Sequence, residues 1–140
     1  MIHALLLITG VIFYLLSAVI FTKPAFADNQ EIITQINQFR ASKNIPAVQA
    51  DPLTCSFAAL RVKEISTDFT HNGFYDRAKS KSMPYPRYKL ATENLARTSK
   101  HNAVEMWIKS PKHAANMLKN TPVVCVESYG DYYAYEGLAI

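Results

Sequence analysis

The chain has no large excess of either charge. Its 140 residues carry 15 lysines and arginines against 11 aspartates and glutamates, a net charge of +4. That balance is too mild to argue for a nucleic-acid surface, although it suits solubility near anionic envelope surfaces. An HExxH sequence is also missing, so a helix presenting two zinc-binding imidazoles one turn apart is excluded. There is no internal repeat and no low-complexity segment, which leaves one ordinary domain as the expectation. Cysteine is scarce, with only Cys55 and Cys125.

One long apolar run is present. Residues 4–21, ALLLITGVIFYLLSAVIF, carry no charge and are followed by Lys23-Pro24 and then Ala25-Phe26-Ala27. An apolar core before a small-x-small pattern reads as a secretory signal peptide over residues 1–27, with cleavage after Ala27. The positive n-region is weak and the run is long, so an uncleaved membrane anchor is the alternative. Removing Lys23 takes the 15 basic residues to 14 in the domain 28–140. The expected location is extracellular, or periplasmic or membrane-anchored if the segment stays attached.

Export changes what the cysteines mean. An even count in an oxidising compartment favours a disulfide, with two buried thiols or a reactive thiol as alternatives. A domain this small buries only about two-thirds of its unfolded surface, so a covalent link would help it.

Helical spacing of Ile32, Ile33, Ile36 and Phe39 predicts a helix over about 29–42, with Asp28 and Glu31 as a capping box. Asp51-Pro52 starts a second helix over about 52–67, an N-cap aspartate followed by proline in the first turn. Residues 68–91 read as an irregular basic loop, or as a weak patch for an anionic ligand. Asn102 and Glu105 suggest a capped helix over about 103–109. Ser110-Pro111 then restarts a short helix, with His113 at its third position. Residues 123–128 and YYAYEGLAI at the end, separated by Tyr129-Gly130-Asp131, read as a β-hairpin.

The polar residues able to form a site are His71, Glu93 and His113. A helix N-terminus disfavours an imidazolium, so His113 is expected to be neutral near pH 7 and available to a metal. Two imidazoles and one carboxylate make a reasonable zinc set. Spacing alone leaves independent surface residues as the competing reading. Trp107 is expected to pack in the core, and His101 to be exposed.

The motifs taken in order resemble the CAP superfamily of cysteine-rich secretory, antigen 5 and pathogenesis-related 1 proteins, and more closely its short bacterial SCP-like extracellular domains. The resemblance rests on Ile36-Asn37-Gln38-Phe39-Arg40, DPLTCSFAALRVKEI over 51–65, His71-Asn72-Gly73, Glu93-Asn94-Leu95-Ala96, and Trp107 through His113 with Asn116-Met117-Leu118. It implies an α+β fold, an α-β-α sandwich with a central antiparallel sheet between helical layers. It implies a cleft with His71, His113 and Glu93 as metal ligands, Zn²⁺ being the expected ion, and Asn94 and Ser110 beside them. Many relatives carry a second glutamate where Ser110 stands. Glu105 is a substitute to consider, though capping explains it more simply. Val124-Cys125-Val126 occupies the place of a glycine-rich stretch in bacterial relatives, which implies a Cys55–Cys125 disulfide tying the sheet to the second helix.

The function implied is a non-enzymatic secreted binding module, with no catalytic residue, for a divalent metal and a lipid or cell-envelope ligand. A metal-dependent, peptidase-like hydrolase using the same cleft is the alternative. No nucleic-acid partner is expected, and a membrane is met only through the N-terminal segment. The sequence does not indicate an oligomeric state.

Overall fold

The computed structural model describes residues 25–140. The apolar run at 4–21, and with it most of the expected signal or anchor segment 1–27, lies outside the described residues. Among the described residues no helix is long and apolar enough to cross a membrane.

The elements run α1 (Ala25–Ala41), β1 (Gln49–Ala50), α2 (Pro52–Ile65), α3 (Asn72–Ser80), β2 (Leu90–Arg97), α4 (Ala103–Lys109), α5 (Pro111–Leu118), β3 (Val123–Tyr129) and β4 (Tyr132–Ala139). The strand order is β1-β3-β4-β2. The sheet is antiparallel apart from the two-residue β1, which pairs parallel to β3. The central sheet is therefore mixed, a small departure from the all-antiparallel expectation. Side chains alternate between its two faces. Val124, Val126, Tyr133 and Tyr135 pack with Ile33 and Ile36 of α1, Val104 and Trp107 of α4 and Met117 of α5. On the opposite face Leu95 and Ala134 pack with Val62 and Ile65 of α2, and Leu138 packs with Phe57 of α2 and Phe74 of α3. The result is the expected α-β-α sandwich.

Three polar anchors explain local sequence choices. Asp51 caps α2, accepting from Thr54 N and Thr54 Oγ1, both at 2.8 Å. Asn37 of α1 donates to Val48 O at 3.0 Å and accepts from Val48 N at 2.8 Å, fixing the approach to β1. The buried Arg40 donates to Pro46 O at 2.7 Å, Met117 O at 2.7 Å and Lys119 O at 2.9 Å. Arg40 thereby holds the carbonyl end of α5, a cation at the negative end of the helix dipole. Its burial itself lowers the guanidinium pKa.

Several local expectations need correction. Helix α1 begins at Ala25, so Asp28 is a residue of the helix and not its cap. Residues 72–80, expected in a loop, form α3. No local signal announces that helix; tertiary contacts hold it. Phe74 stacks on Phe57 with ring centroids 6.4 Å apart. Arg77 donates to Gly73 O at 2.7 Å and forms an ion pair with Glu64. Asn102 and Ser110 stand at the N-caps of α4 and α5, but neither side chain makes a capping hydrogen bond. The Asn102 amide oxygen accepts from Thr98 Oγ1 at 2.7 Å instead.

Cys55 and Cys125 are joined, with their Cα atoms 4.9 Å apart, and there is no free cysteine among the described residues. The bond ties α2 to β3 across 70 residues of sequence. In the chain-entropy account a loop of that length contributes about 4 kcal/mol. Replacing Cys55 and Cys125 together by alanine should remove stability of that order. Urea unfolding followed by circular dichroism checks it, and an unchanged midpoint would contradict the account.

Candidate functional site

The sheet leaves β2 as an edge strand, and the candidate site is built along that edge. A cavity of about 430 Å³ is lined by His71, Phe74 and Tyr75 from one helical layer and by Lys112, His113, Asn116 and Lys119 from the other, with Ala91, Thr92 and Glu93 of β2 between them. His71 occupies the N-cap position of α3 and His113 the third position of α5. So His71, Glu93 and His113, scattered along the sequence, meet at one cavity.

Glu93 is buried in the middle of β2. Arg61 Nε donates to Glu93 Oε2 at 2.6 Å, and its Nη2 to Oε1 at 3.3 Å. His71 Nδ1 lies 2.7 Å from Glu93 Oε1. A carboxylate at Nδ1 selects the tautomer with hydrogen there and leaves Nε2 as the open nitrogen. Burial pushes the Glu93 carboxyl up, but the hydrogen bonds with His71 and Arg61 and the charge of Arg61 act against it, and the group is held below its ordinary value. Arg61 is itself almost fully buried, and its remaining donors go to Glu64 Oε2 at 2.5 Å and Thr70 O at 2.9 Å. The last bond fixes the backbone just before His71.

Gly73 follows from this crowding. A Cβ there would stand 2.2 Å from Arg61 Nη1 and 2.5 Å from Glu64 Oε2. The glycine of His71-Asn72-Gly73 lets α3 start against the buried guanidinium.

On the other wall, Asn94 Nδ2 donates to His113 O at 2.9 Å. Asn116 Nδ2 donates to Glu93 O at 3.1 Å and to Asn94 Oδ1 at 2.9 Å. These bonds clamp α5 to β2 and set the position of His113. Burial lowers the His113 pKa, and the nearby His71 lowers it further. The neutral form expected from the helix terminus is thus favoured, with burial as the leading cause.

Of the other candidates, Ser110 is not among the residues lining the cavity, and Glu105 is exposed and paired with Lys109 at 2.5 Å. A second carboxyl, that of Glu136, stands beside Glu93 in the sheet but outside the cavity lining, and sequence reasoning missed it. It is fully buried in β4, directly opposite Glu93. Its one sequence signal is a lone charge in an otherwise apolar and aromatic strand. Arg61, Phe74, Tyr75, Lys112, Asn116 and Lys119 were also not singled out as site residues.

The donor chemistry fits a divalent ion only in part. His71 Nε2 and the His113 imidazole are free to coordinate, while Glu93 has both oxygens engaged. Among the described residues, the group of three ligand atoms lying within 4.8 Å of one another is Cys55, Cys125 and Glu127. Its two sulfurs are spent on the disulfide. The arrangement therefore fits a two-imidazole site with Glu93 behind His71, and not a closed cage of all three.

A model of the cysteine-rich secretory protein family, CAP, matches residues 33–133. No curated protein matches the chain by sequence. Among solved structures, an extracellular SCP-domain protein from Bacillus anthracis has a TM-score of 0.71 and 22% identity, covering 83% of this chain and 41% of that one. A cysteine-rich secretory protein from Staphylococcus aureus has a TM-score of 0.69 and 15% identity over 84% of this chain and 40% of that one. An outer surface protein from Borrelia burgdorferi has a TM-score of 0.67 and 17% identity over 81% of this chain and 92% of that one. The chain thus spans about two-fifths of the length of the first two proteins. At these identities the likeness carries the fold and nothing finer.

The His113 shift has a stability consequence. The unfolded histidine, with a pKa of about 6.5, binds a proton more readily than the folded one. Stability therefore rises with pH between the lowered native value and about 6.5, and is lost on acidification through that window. Metal-free protein unfolded in urea at a series of pH values should show this slope, and His113→Gln should flatten it. An identical slope in the variant would assign the effect elsewhere.

Proposed function

The chain belongs to the cysteine-rich secretory protein family, and from that premise we propose that it is a secreted binding module whose β2-edge cleft takes a divalent ion and an anionic ligand from a lipid or cell envelope. The observation that carries this reading is the lining of the cleft. Two imidazoles are set on opposite walls, Glu93 is fixed behind one of them, and two lysines and two aromatic rings complete the surface.

Each part has a job in this reading. His71 Nε2 and His113 hold the ion, Zn²⁺ being the natural choice for neutral imidazoles. Glu93 orients His71, the usual task of a carboxylate behind a ligating histidine. Bound zinc would supply Lewis acidity and remaining positions for a ligand oxygen. Lys112 and Lys119 stand seven residues apart and attract a phosphate or carboxylate, while Phe74 and Tyr75 accept apolar surface. Export fits the disulfide and the extracellular or outer-surface description of the structural relatives. A binding role is preferred to hydrolysis because Glu93, the carboxylate at the cleft, has both oxygens engaged and is badly placed as a general base.

Calorimetric titration of the purified protein with Zn²⁺ tests the reading. His71→Ala and His113→Ala should each weaken binding at least about tenfold, and Glu93→Gln should weaken it without abolishing it. Equal affinity in both histidine variants would remove the shared site. Hydrolysis of peptide or ester substrates that is lost in the same variants would favour the hydrolase instead.

A further inference from the structure

Glu136 is the most anomalous polar group among the described residues. It is 1% exposed, and neither carboxyl oxygen meets a protein nitrogen or hydroxyl donor. Most buried polar atoms are satisfied, so such a group needs an explanation. Its register supplies one. Glu136 is the cross-strand partner of Glu93 on one side and of Cys125 on the other. The three residues form a row across the sheet, facing α2, where Cys55 and Arg61 reside. The group that the register sets beside Glu136 on this face of the sheet is another carboxyl, that of Glu93.

Two carboxyl groups can bond only if one of them brings the proton. Glu93 is the wrong carrier, because Arg61 and His71 already direct donors at both its oxygens. Charge counting points the same way. The charged groups around Glu136 are Arg61 and Arg77 on one side of the account and Glu93 and Glu64 on the other. They balance without Glu136, and ionising it would leave one uncompensated buried negative charge.

We infer that Glu136 is a positioning residue, carried as the neutral acid, which donates a hydrogen bond to Glu93 and so holds that carboxylate in its bonds to Arg61 and His71. The chain of contacts then runs from β4 through Glu93 to the cleft nitrogen of His71. Burial, followed by the charge of Glu93, pushes the Glu136 carboxyl well above the ordinary carboxylate range. The link from His71 to ion binding rests on the function proposed above; the proton on Glu136 does not.

Two spectroscopic readouts on metal-free protein test the inference, with Glu136→Gln and Glu136→Leu as variants. Wild-type protein at neutral pH should show the infrared carbonyl band of a buried protonated carboxyl, and both variants should lack it. Nitrogen NMR of His71 should show a single tautomer protonated at Nδ1. Glu136→Gln keeps a donor N–H toward Glu93 and should preserve that signal. Glu136→Leu removes the donor; it should mix the tautomers and weaken Zn²⁺ binding about tenfold. Absence of the carboxyl band in wild type overturns the inference, as does a leucine variant with the wild-type tautomer. If the leucine variant fails to fold, the band and the glutamine variant still decide it. If wild-type protein binds no zinc, the proposed function fails while the two spectra still judge Glu136.

Discussion

The buried guanidinium of Arg61 is the interaction on which the site depends. It stands on α2, reaches Glu93 on β2, and donates to Thr70 O in the segment leading to His71. One side chain thus joins a helical layer, the sheet and the cleft wall. Burying a cation is costly unless its donors are filled, and here they go to two carboxylates and a carbonyl. Burial lowers its pKa, but the bonds to Glu93 and the charge beside it more than compensate, so the group stays charged. Replacing Arg61 would strand Glu93, release the approach to His71 and remove a partner of Glu64. The disulfide at the other end of α2 limits how far the helix could shift to adapt.

The edge position of β2 explains why a cleft exists there. An interior strand is covered on both sides by neighbours, whereas an edge strand offers its flank to solvent or to flanking helices. Here α3 and α5 approach that flank from opposite layers and leave a gap between them. The two walls are braced in different ways. The His71 wall is held by charge, through Arg61, Glu64 and Arg77. The His113 wall is held by neutral amides, through Asn94 and Asn116. Arg40 secures the far end of α5.

The legible parts of the sequence were those whose cause is local. Asp51-Pro52 announces a capped helix start, and the structure has that cap. Ser110-Pro111 places His113 on a first helical turn by backbone geometry alone, although the serine hydroxyl does not cap. The hairpin around Gly130 follows from a glycine at φ 56° between β-prone strands. Helix α3 was not legible, because Asn72 and Gly73 are turn residues by propensity. Gly73 is required by the proximity of Arg61, a residue twelve positions earlier. Glu136 was hidden for a similar reason. Its meaning depends on which residue faces it across the sheet, and strand register is a long-range property. The order of the motifs singled out His71, Glu93 and His113, which line one cavity, but it could not tell which of them had free ligand atoms.

That last distinction bears on how the cleft works. A glutamate named beside two histidines invites a three-ligand reading, yet ligand identity depends on unspent lone pairs. Glu93 has given its oxygens to Arg61 and His71, so its contribution reaches the cleft as the orientation of an imidazole. Under the function proposed above, an ion held by two imidazoles would keep coordination positions open for a ligand. It also suits the rest of the lining, because Lys112 and Lys119 can neutralise an anionic group that an open metal position would hold. A buried carboxyl pair, an arginine and a histidine then act as one unit. Disturbing any member changes the cleft through the orientation of His71, even at positions that no ligand touches.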